Sequence, residues 1–553
     1  MKNKVVAAIL CIALMASLMT GCQPGTGNDE TTKAPAKEST GAQDVESTGS
    51  ETEAGTESKE IAVDHFAGTT IKVAVVKKAN DTSTDWNQKE IFKLAEEATG
   101  IHVEWTVIDP SVSGDKIAVM LMSSEQPDVY LGALNESTLA ANLDLFYDLS
   151  EEGLLETWAP NVVEIYNTSD YSWNALKWAD GSIRSLLTGG LNKELGSYTA
   201  GTSVINMAWL EKTGKDIPTT ADELYEVLVA FRDGDMDGDG DPTNEIPMSF
   251  CSGFWDGELM LYANAFGIGG NNTWQAVDHY KNIKDGKVVS TVDTVNYRAF
   301  LEFFHKLYAE GLLDTEGFSQ TSDQYVTKRN GKNLGVAISS TTYLGEDAYM
   351  PFIYQGMEGV EPVLTGLVGG FAATRTNFCI SAKSENVEAV LHWWNWLSKD
   401  AKTTSIAWGG SEFFYEEDGK LYQTNAKDLP EGYNAAIYGM HNYLPAYADG
   451  QRAIAHPDNK SSQVIIREEF TKEHLDLINK EGFPVAFGDA AKAEEKAFLE
   501  VELLAYIKTF TADAIVNGVT DASWEQHLKD LKAVQYYDWI QWYQDFVDEV
   551  NSR

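Results

Sequence analysis

The stretch TTIKVAVVKKAND, residues 69–81, carries an apolar run rich in β-branched residues, which predicts a buried strand. The segment DWNQKEIFKLAEEATG, residues 85–100, follows with the spacing of an amphipathic helix and ends on Gly100, a natural C-cap. Three further segments continue the alternation as strand, helix and strand: IHVEWTVI (101–108), DKIAVMLMSSEQ (115–126) and PDVYLGAL (127–134). This alternation predicts a parallel sheet with crossover helices, so this part of the chain is α/β.

The middle and C-terminal parts of the chain have mostly helical patterns, for example VEAVLHWWNWLSKD at residues 387–400. With 553 residues, 43% of them hydrophobic, the chain can bury a large core and predicts two or more lobes. In open α/β sheets ligands bind beyond the carboxyl ends of the strands, which favours the loops near Trp86 and at residues 131–136. No internal repeat typical of a solenoid or propeller is present.

The charge balance excludes some partners. The chain has 42 Lys and Arg against 84 Asp and Glu, a net charge of −42, and no basic run that could neutralise phosphates. We therefore expect no nucleic-acid partner, and an anionic membrane surface would repel the protein.

The N-terminus has the features of an export signal. Lys2 and Lys4 precede an apolar run at residues 5–19. This run has about the length of a signal-peptide core and is too short for a membrane span. The sequence therefore predicts that the protein leaves the cytoplasm.

The apolar run ends on LMTGC, residues 18–22, which resembles the lipobox of bacterial lipoproteins, with Met19 where Leu is usual. The resemblance implies a lipoprotein signal peptide at residues 1–21 and a lipid chain on Cys22. A plain signal or an uncleaved anchor is the alternative, and each version exports the protein. Residues 22–61 then form the lipidated Cys and a disordered tether, because they contain too few apolar residues to fold.

Two cysteines remain beyond the signal and the lipobox. Cys251 and Cys379 stand in apolar or aromatic company, which favours buried thiols. A single disulfide between them is the alternative in an exported protein. Stability does not depend on a framework of cross-links in either case.

An acidic segment, DGDMDGDGDPTNEIP at residues 233–247, follows a helical pattern and has the spacing of a calcium loop. With Asp235 as position 1, two aspartates fall at positions 3 and 5, and Gly240 at position 6 supplies a sharp turn. Glu245 falls at position 11 rather than at the usual 12. One residue has been lost from the half of the loop that provides the bidentate carboxylate.

The donors of this loop predict Ca²⁺ rather than zinc or copper, because all are hard oxygens and no His or Cys is near. A solvated acidic turn is the alternative, but so many close carboxylates would repel one another without a cation. No second loop of this kind is present, which disfavours a paired sensor and favours one structural ion. The predicted ligands are Asp235, Asp237, Asp239, Asp241, Asn244 and Glu245.

Four segments of the chain, taken in order, match a known family. They are KIAVMLMSSEQPDVYLG (116–132), MAWLEKTGKDIPTTADELYEVLVAFRDGDMDGDGDPTNEIP (207–247), RAFLEFFHKLYAEGLLD (298–314) and SWEQHLKDLKAVQYYDWIQWYQDFVDE (523–549). On these segments the chain resembles the family 1 extracellular solute-binding lipoproteins of carbohydrate ABC importers, in the large oligosaccharide-binding subgroup.

The resemblance implies a helix-rich α/β, two-lobe periplasmic-binding-protein-like fold with a hinge and an interlobe cleft. It also implies a structural Ca²⁺ in the second lobe, held by the acidic loop. The closed form would be presented to the transmembrane subunits of an ABC permease, on the extracellular face of the cell membrane. The implied solute-binding domain is 62–553, with lobe 1 at roughly 62–172 plus 370–420 and lobe 2 at roughly 185–365 plus 425–553.

A sugar site needs flat aromatic surfaces for the apolar faces of the rings and polar side chains for the hydroxyls. The candidates are residues in loop-like or Gly-flanked settings, together with an Arg that could pair with hydroxyls or a uronate carboxylate. Each alone fits packing as well as ligand contact. They are Trp86, Trp173, Trp178, Trp255, Asp256, Tyr343, Arg375 and Trp408.

Three other functions compete with a sugar receptor. A secreted glycoside hydrolase needs two carboxylates at a fixed separation, and a chain with 84 acids can supply them. No nucleophile elbow, zinc motif or P-loop is present, however. A Ca²⁺-dependent surface glycan-binding protein would predict repeats or a β-rich pattern. A receptor for a peptide or another polar solute also fits. Taken together, the sequence predicts a monomeric, non-enzymatic, lipid-anchored sugar receptor and does not identify its ligand.

Overall fold

The computed structural model describes residues 65–78, 80–191, 202–269, 275–339, 343–344, 347–365, 373–448, 450–459, 463–478 and 481–552. The predicted signal peptide, Cys22 and the tether lie outside these residues and stay predictions. Within the described ranges, no helix has both the length and the apolar character needed to cross a membrane.

Sixteen strands occur in the described residues. They are β1 (Thr70–Val76), β2 (His102–Ile108), β3 (Val129–Leu131), β4 (Leu186–Thr188), β5 (Gly190–Leu191), β6 (Thr202–Asn206), β7 (Ile246–Met248), β8 (Lys281–Lys284), β9 (Lys287–Ser290), β10 (Leu334–Ser339), β11 (Tyr343–Leu344), β12 (Asp347–Pro351), β13 (Thr374–Ile380), β14 (Phe414–Glu417), β15 (Lys420–Gln423) and β16 (Tyr447–Ala448).

Seventeen α-helices accompany the strands in the same residues. They are α1 (Glu90–Thr99), α2 (Ser113–Met122), α3 (Glu136–Ala140), α4 (Leu154–Trp158), α5 (Pro160–Tyr166), α6 (Asp170–Leu176), α7 (Met207–Thr213), α8 (Ala221–Asp233), α9 (Val295–Ala309), α10 (Ser322–Asn330), α11 (Val387–Trp396), α12 (Ala401–Gly409), α13 (Ala435–Tyr438), α14 (Gln463–Glu473), α15 (Ala490–Asn517), α16 (Asp521–Ala533) and α17 (Tyr536–Asn551).

The first sheet confirms the predicted α/β pattern of the N-terminal segments. Its strand order is β2-β1-β3-β13-β4, with β1 parallel to both β2 and β3. Helix α1 connects β1 to β2 and ends at Gly100, whose φ of 70° is the left-handed conformation that glycine adopts without strain. The fourth member, β13, is antiparallel to β3 and β4 and comes from a distant part of the chain.

The second sheet has the order β11-β12-β6-β10-β7, in which β6 is antiparallel to β10 and β12, and β7 is parallel to β10. All its strands lie in the chain between β5 and β13. The first sheet defines the first lobe and the second sheet defines the second lobe. The second sheet is therefore inserted between two parts of the first lobe, and C-terminal helices complete the core of the second lobe.

Both faces of the first sheet are buried, as expected for a sheet covered by helices. Val73 and Val75 face one hydrophobic cluster, which contains the fully buried Trp394 of α11. Ala74, Tyr130 and Cys379 lie opposite one another in neighbouring strands and face a second cluster. Side chains alternate between the two faces because successive residues of a strand point in opposite directions.

The core of the second lobe is assembled from helices and is rich in aromatic residues. Phe231 of α8, Phe304 of α9 and Trp539 of α17 belong to one cluster and are fully buried. A capping box between Thr220 and Glu223 fixes the start of α8. The helix ends at Asp233, the first residue of the acidic segment.

Two segments pack on a different core from the one that the predicted lobe ranges imply. Strand β4, placed in lobe 2 by the prediction, pairs with β13 in the first sheet. Tyr443 and Leu444, from the range 425–553 assigned to lobe 2, are buried in the core of the first sheet. The ranges missed these segments because strand pairing and core contacts between distant parts of the chain leave no local pattern in the sequence.

The structure distinguishes between the two predicted states of the cysteines, buried thiols and a disulfide. Cys251 and Cys379 are both free and buried, in agreement with the prediction of buried thiols. Burial raises the pKa of both thiols, so neither exists as a reactive thiolate at neutral pH.

The segment before α15 connects the two lobes through an aromatic contact. Phe483 packs edge-on against Tyr543 of α17, in the second lobe, at 5.2 Å between ring centroids. Phe487 instead lies in a cluster of the first lobe, where its ring is parallel to Trp178 at a centroid distance of 4.2 Å. The guanidinium of Arg375 lies 4.4 Å from the centre of the same ring. Phe487 is fully buried by these contacts.

We expect Phe487→Ala to lower the free energy of unfolding by about 3–5 kcal/mol, the usual loss when a buried Phe is truncated and leaves a cavity. Urea denaturation measures the change. Phe498→Ala, at a residue of α15 that is 76% exposed, is the matched control and should change stability by less than about 0.5 kcal/mol. Equal losses in the two variants would contradict the burial of Phe487 in the core of the first lobe.

Candidate functional site

The acidic segment forms a tight loop between α8 and β7. The carboxylates of Asp235, Asp237 and Asp239 each offer an oxygen, and these oxygens all lie within 4.8 Å of one another. The backbone N–H of Gly240 donates to Asp235 Oδ2 at 3.1 Å, so the chain curls around its first carboxylate. Gly240, at loop position 6, has a φ of 92°, which a residue with a side chain rarely adopts.

Glu245 reaches back to the start of the loop although it stands one position early. Its Oε1 accepts a hydrogen bond of 2.7 Å from the backbone N–H of Met236, whereas its Oε2 is buried and has no hydrogen-bond partner. The Oδ1 of Asn244 is likewise buried without a partner, while its Nδ2 donates to Asp239 at 2.7 Å. Two buried acceptors are therefore available beside the three aspartates.

Asp241 differs from the other acids of the loop. Its Oδ1 accepts from the backbone N–H and the hydroxyl of Thr243, at 3.0 and 2.6 Å. These hydrogen bonds lower the pKa of the Asp241 carboxyl. With the side chain held in this turn, Asp241 has its backbone carbonyl to offer a cation, as expected at loop position 7. The donor set of the whole loop consists of hard oxygens and fits a Ca²⁺-sized ion.

Trp86 was predicted to contact the ligand, but the structure places it in the core of the first lobe. Its side chain is 2% exposed and lies between Phe92 and Trp105, at centroid distances of 5.9 and 4.9 Å. The loop position of Trp86 in the sequence suggested exposure. The side chain turns inward because the space between α1 and β2 has to be filled with apolar volume.

Asp256 is also buried rather than available to a ligand. It forms an ion pair with the guanidinium of Arg329, and both side chains are less than 9% exposed. The Arg329 guanidinium lies 5.2 Å from the ring centre of Tyr325. A buried charge requires a counter-charge, and Asp256 neutralises the charge of Arg329 inside the second lobe.

Trp178 and Arg375, predicted separately, are brought together by the tertiary structure. Both contact the ring of Phe487, as described above, and Arg375 also donates to Glu136 Oε2 at 3.0 Å. The Nε1 of Trp178 and the Nη1 of Arg375 are buried without hydrogen-bond partners. Two predicted ligand residues thus pack against the segment that precedes α15.

The other predicted residues lie apart from this contact. Trp173 is half-buried and donates from Nε1 to Asn167 at 2.8 Å. Trp255 is 44% exposed in the second lobe. Tyr343 belongs to β11, and its side chain lies outside the described parts of the chain.

Trp408 belongs to a half-buried aromatic group at the edge of the first lobe. The guanidinium of Arg452 lies 3.9 Å from the centre of its ring, and the rings of Phe413 and His441 lie 5.9 and 5.6 Å away. Arg452 is also 5.5 Å from the ring of Tyr447. Local sequence patterns identified Trp408 but missed Arg452 and His441, because these residues reach the tryptophan from a distant part of the chain.

A second group that the sequence analysis missed follows the carboxyl end of β1. Lys89 Nζ pairs with Asp81 Oδ2 at 2.9 Å, and both side chains are almost fully buried. Lys89 Nζ also donates to the backbone carbonyl of Gly439 at 2.8 Å. Burial is the main cause that lowers the pKa of Lys89, and the Asp81 carboxylate opposes it. This network fixes the loop after β1 against the segment that precedes Tyr443, whose hydroxyl donates to the carbonyl of Val76.

Comparison with known proteins assigns the family. Residues 68–404 match the model of the family described as bacterial extracellular solute-binding protein, and the chain belongs to this family. Among curated proteins, it is 27% identical over 497 residues to the fructooligosaccharide ABC transporter substrate-binding protein FusA of Streptococcus pneumoniae serotype 4. The match covers 85% of this chain and 88% of FusA, so it includes both lobes.

Solved structures agree with the two-lobe fold. An HMO-binding, ABC-transporter-associated solute-binding protein from Bifidobacterium longum infantis superposes with a TM-score of 0.75 at 20% identity, covering 87% of this chain and 99% of the other. FusA of S. pneumoniae in complex with kestose gives 0.74 at 23% identity, covering 88% and 100%. An EF-hand mutant of FusA in complex with fructo-nystose gives 0.72 at 23% identity with the same coverage. The predicted two-lobe α/β fold is confirmed.

The contribution of the buried ion pair between Asp256 and Arg329 to stability can be tested by substitution. We expect Asp256→Asn to lower the free energy of unfolding by about 3–5 kcal/mol, because Arg329 is left buried without a counter-charge. Thermal and urea denaturation measure the loss. Asp216→Asn, at an exposed aspartate of the same lobe, should have almost no effect.

The double variant Asp256→Leu with Arg329→Met removes both charges and should recover most of the stability lost in Asp256→Asn. If the double variant were as unstable as the single variant, the ion pair would not be the cause of the loss.

Proposed function

We propose that this protein is the lipid-anchored substrate receptor of an ABC importer and binds an oligosaccharide in the cleft between its two lobes. The observation that carries the proposal is the similarity to FusA, which extends over both lobes and therefore over both walls of the cleft. The family membership excludes neither a glycan of another type nor a different polar solute, so a binding test has to include both.

The anchor in this proposal is Cys22, followed by the tether at residues 22–61. A flexible chain of about forty residues has a mean reach of roughly 35 Å, which is enough to hold the receptor away from the bilayer and near a permease. The net charge of −42 keeps the folded lobes from lying on an anionic membrane surface. The receptor would work as a monomer on the extracellular face.

Binding in this proposal proceeds by closure of the lobes around the ligand. The chain leaves the first lobe between β5 and β6 and returns to it before β13, so it crosses between the lobes at least twice. A ligand favours the closed form to the extent that it gains contacts with both lobes only when they meet. The permease would recognise that closed form, and the sugar would leave chemically unchanged.

We expect a cognate oligosaccharide to raise the melting temperature of the exported protein, prepared with Cys22→Ala to prevent acylation. A ligand at 100 times its Kd adds about 2.7 kcal/mol to stability. Differential scanning calorimetry against panels of oligosaccharides, peptides and other polar solutes measures the shift, and chromatography of the same samples measures cleavage. A shift with peptides alone, or release of shorter sugars, would refute the proposed function.

We further propose that the acidic loop holds one structural Ca²⁺. Support comes from the three converging aspartates, the two buried acceptors on Asn244 and Glu245, and the existence of a FusA variant described as an EF-hand mutant. The ion would tie α8 to β7 by neutralising carboxylates that otherwise repel one another. Calcium would thus stabilise the second lobe without contacting the sugar.

The loop geometry allows a matched set of variants. Asp235→Asn and Glu245→Gln each remove a carboxylate that would bind the ion, so we expect at least a tenfold loss of Ca²⁺ affinity and a lower melting temperature in Ca²⁺. Asp241→Asn should retain nearly full affinity, because that residue would contribute its backbone carbonyl. Metal analysis and calcium titration by calorimetry measure the differences. Equal affinity in all three variants would contradict the proposed site.

A further inference from the structure

Positively charged side chains gather beyond the carboxyl end of β1, although the chain as a whole carries a net charge of −42. Lys78 follows β1 by two residues. Lys89 is neutralised by Asp81 in the buried pair described above. Arg452 reaches the same region from the segment after β16. Among the described residues, neither Lys78 nor Arg452 forms an ion pair.

Aromatic rings surround the guanidinium of Arg452. Its central carbon lies over the ring of Trp408, 3.9 Å from the ring centre, and 5.5 Å from the ring centre of Tyr447. Stacking occupies the face of a guanidinium, whereas its N–H donors point outward in the plane. The Nε of Arg452 is buried and has no hydrogen-bond partner. An arginine held in this way is prepared for a planar or tetrahedral anion.

His441 lies beside these cations. Its ring is 5.6 Å from that of Trp408, which the guanidinium of Arg452 also contacts, and Lys78 Nζ lies 5.5 Å from the ring centre of the nearby Tyr443. Burial, followed by the positive charges of Lys89 and Lys78, lowers the pKa of His441 to about 4, whereas Asp81 opposes the shift. His441 is therefore neutral at pH 7. We call Lys78 and Arg452 the basic cluster.

The position of the basic cluster is where an α/β sheet binds its ligand. Lys78 stands beyond the carboxyl end of a central strand of the first sheet, the usual side for ligands in such sheets. Tyr447, beside Arg452, begins β16, which pairs with β5. Strand β5 leads directly into the segment that crosses to the second lobe. The cluster thus lies on the first lobe, near the last strand before the chain crosses to the second lobe.

We propose that the basic cluster is the subsite for an anionic substituent, a carboxylate or a sulfate ester, so that the preferred ligand is an acidic oligosaccharide. This inference rests on the proposed function and specifies its substrate class. Trp408 would stack on the apolar face of the same sugar unit, and Arg452 would pair with its anionic group through two parallel hydrogen bonds. Since the rest of the surface repels anions, the cluster would also fix the register of the chain in the cleft.

Isothermal titration calorimetry with matched pairs of ligands tests this inference. One pair is an oligogalacturonate and its fully methyl-esterified form, which share every ring and differ in charge. The other pair is a sulfated oligosaccharide and its desulfated form. We expect one of the anionic ligands to bind at least ten times more tightly than its neutral partner, with an affinity that falls as salt is added. Which pair responds distinguishes a carboxylate from a sulfate.

Three variants locate the effect. Arg452→Gln and Lys78→Met should each weaken binding of the anionic ligand at least tenfold. Both should weaken binding of the neutral partner less than binding of the anionic ligand. Lys93→Met removes the same charge from an exposed residue of α1 and should leave the affinity unchanged. Circular dichroism and the melting temperature identify a variant that has lost its fold, and Arg452→Lys then provides a milder change.

The outcomes separate this inference from the proposed function. Tight binding of neutral oligosaccharides, with no preference for the anionic member of either pair, would overturn the acidic-ligand inference and leave the sugar receptor intact. Binding of an acidic oligosaccharide that is insensitive to Arg452→Gln and Lys78→Met would remove the basic cluster from the site. Failure of every oligosaccharide to bind would overturn both.

Discussion

The pairing of β13 with β3 is the constraint on which the two-lobe architecture depends. Phe378 lies opposite Leu131 and Ile380 opposite Val129. In the sequence, every strand of the second sheet lies between β3 and β13. The pairing obliges the chain to leave the first lobe and return to it. Crossing segments are the consequence, and a hinge requires such segments. The same strand brings Cys379 into the core and places Arg375 beside the interlobe contact.

Two local groups of charged residues have properties that the net charge of the chain does not describe. In the second lobe, the acidic loop concentrates carboxylates at one junction between a helix and a strand, where the oxygens of Asp235, Asp237 and Asp239 converge. In the first lobe, Lys78 and Arg452 stand without carboxylate partners among the described residues. The first arrangement suits a small cation and the second suits an anionic ligand. Neither could be inferred from a net charge of −42.

Aromatic residues serve three distinct purposes that composition alone does not separate. Trp86 fills the core between α1 and β2, whereas Trp178 stacks with Phe487 and so holds the segment before α15 against the first lobe. Trp408 supports the guanidinium of Arg452 at the edge of the first lobe. A tryptophan next to glycine or aspartate in the sequence can take any of these roles. The neighbours that decide between them come from remote parts of the chain.

The sequence by itself determined the elements whose signals are local. The strand and helix pattern around residues 69–134, the capping box of α8 and the spacing of the acidic loop all follow from residues a few positions apart. Only the tertiary structure decided that Asp256 forms an ion pair with Arg329, that Leu444 packs in the first lobe and that Arg452 contacts Trp408. The physical reason is that burial and ion pairing depend on contacts between distant segments, and periodicity along the chain carries no record of them.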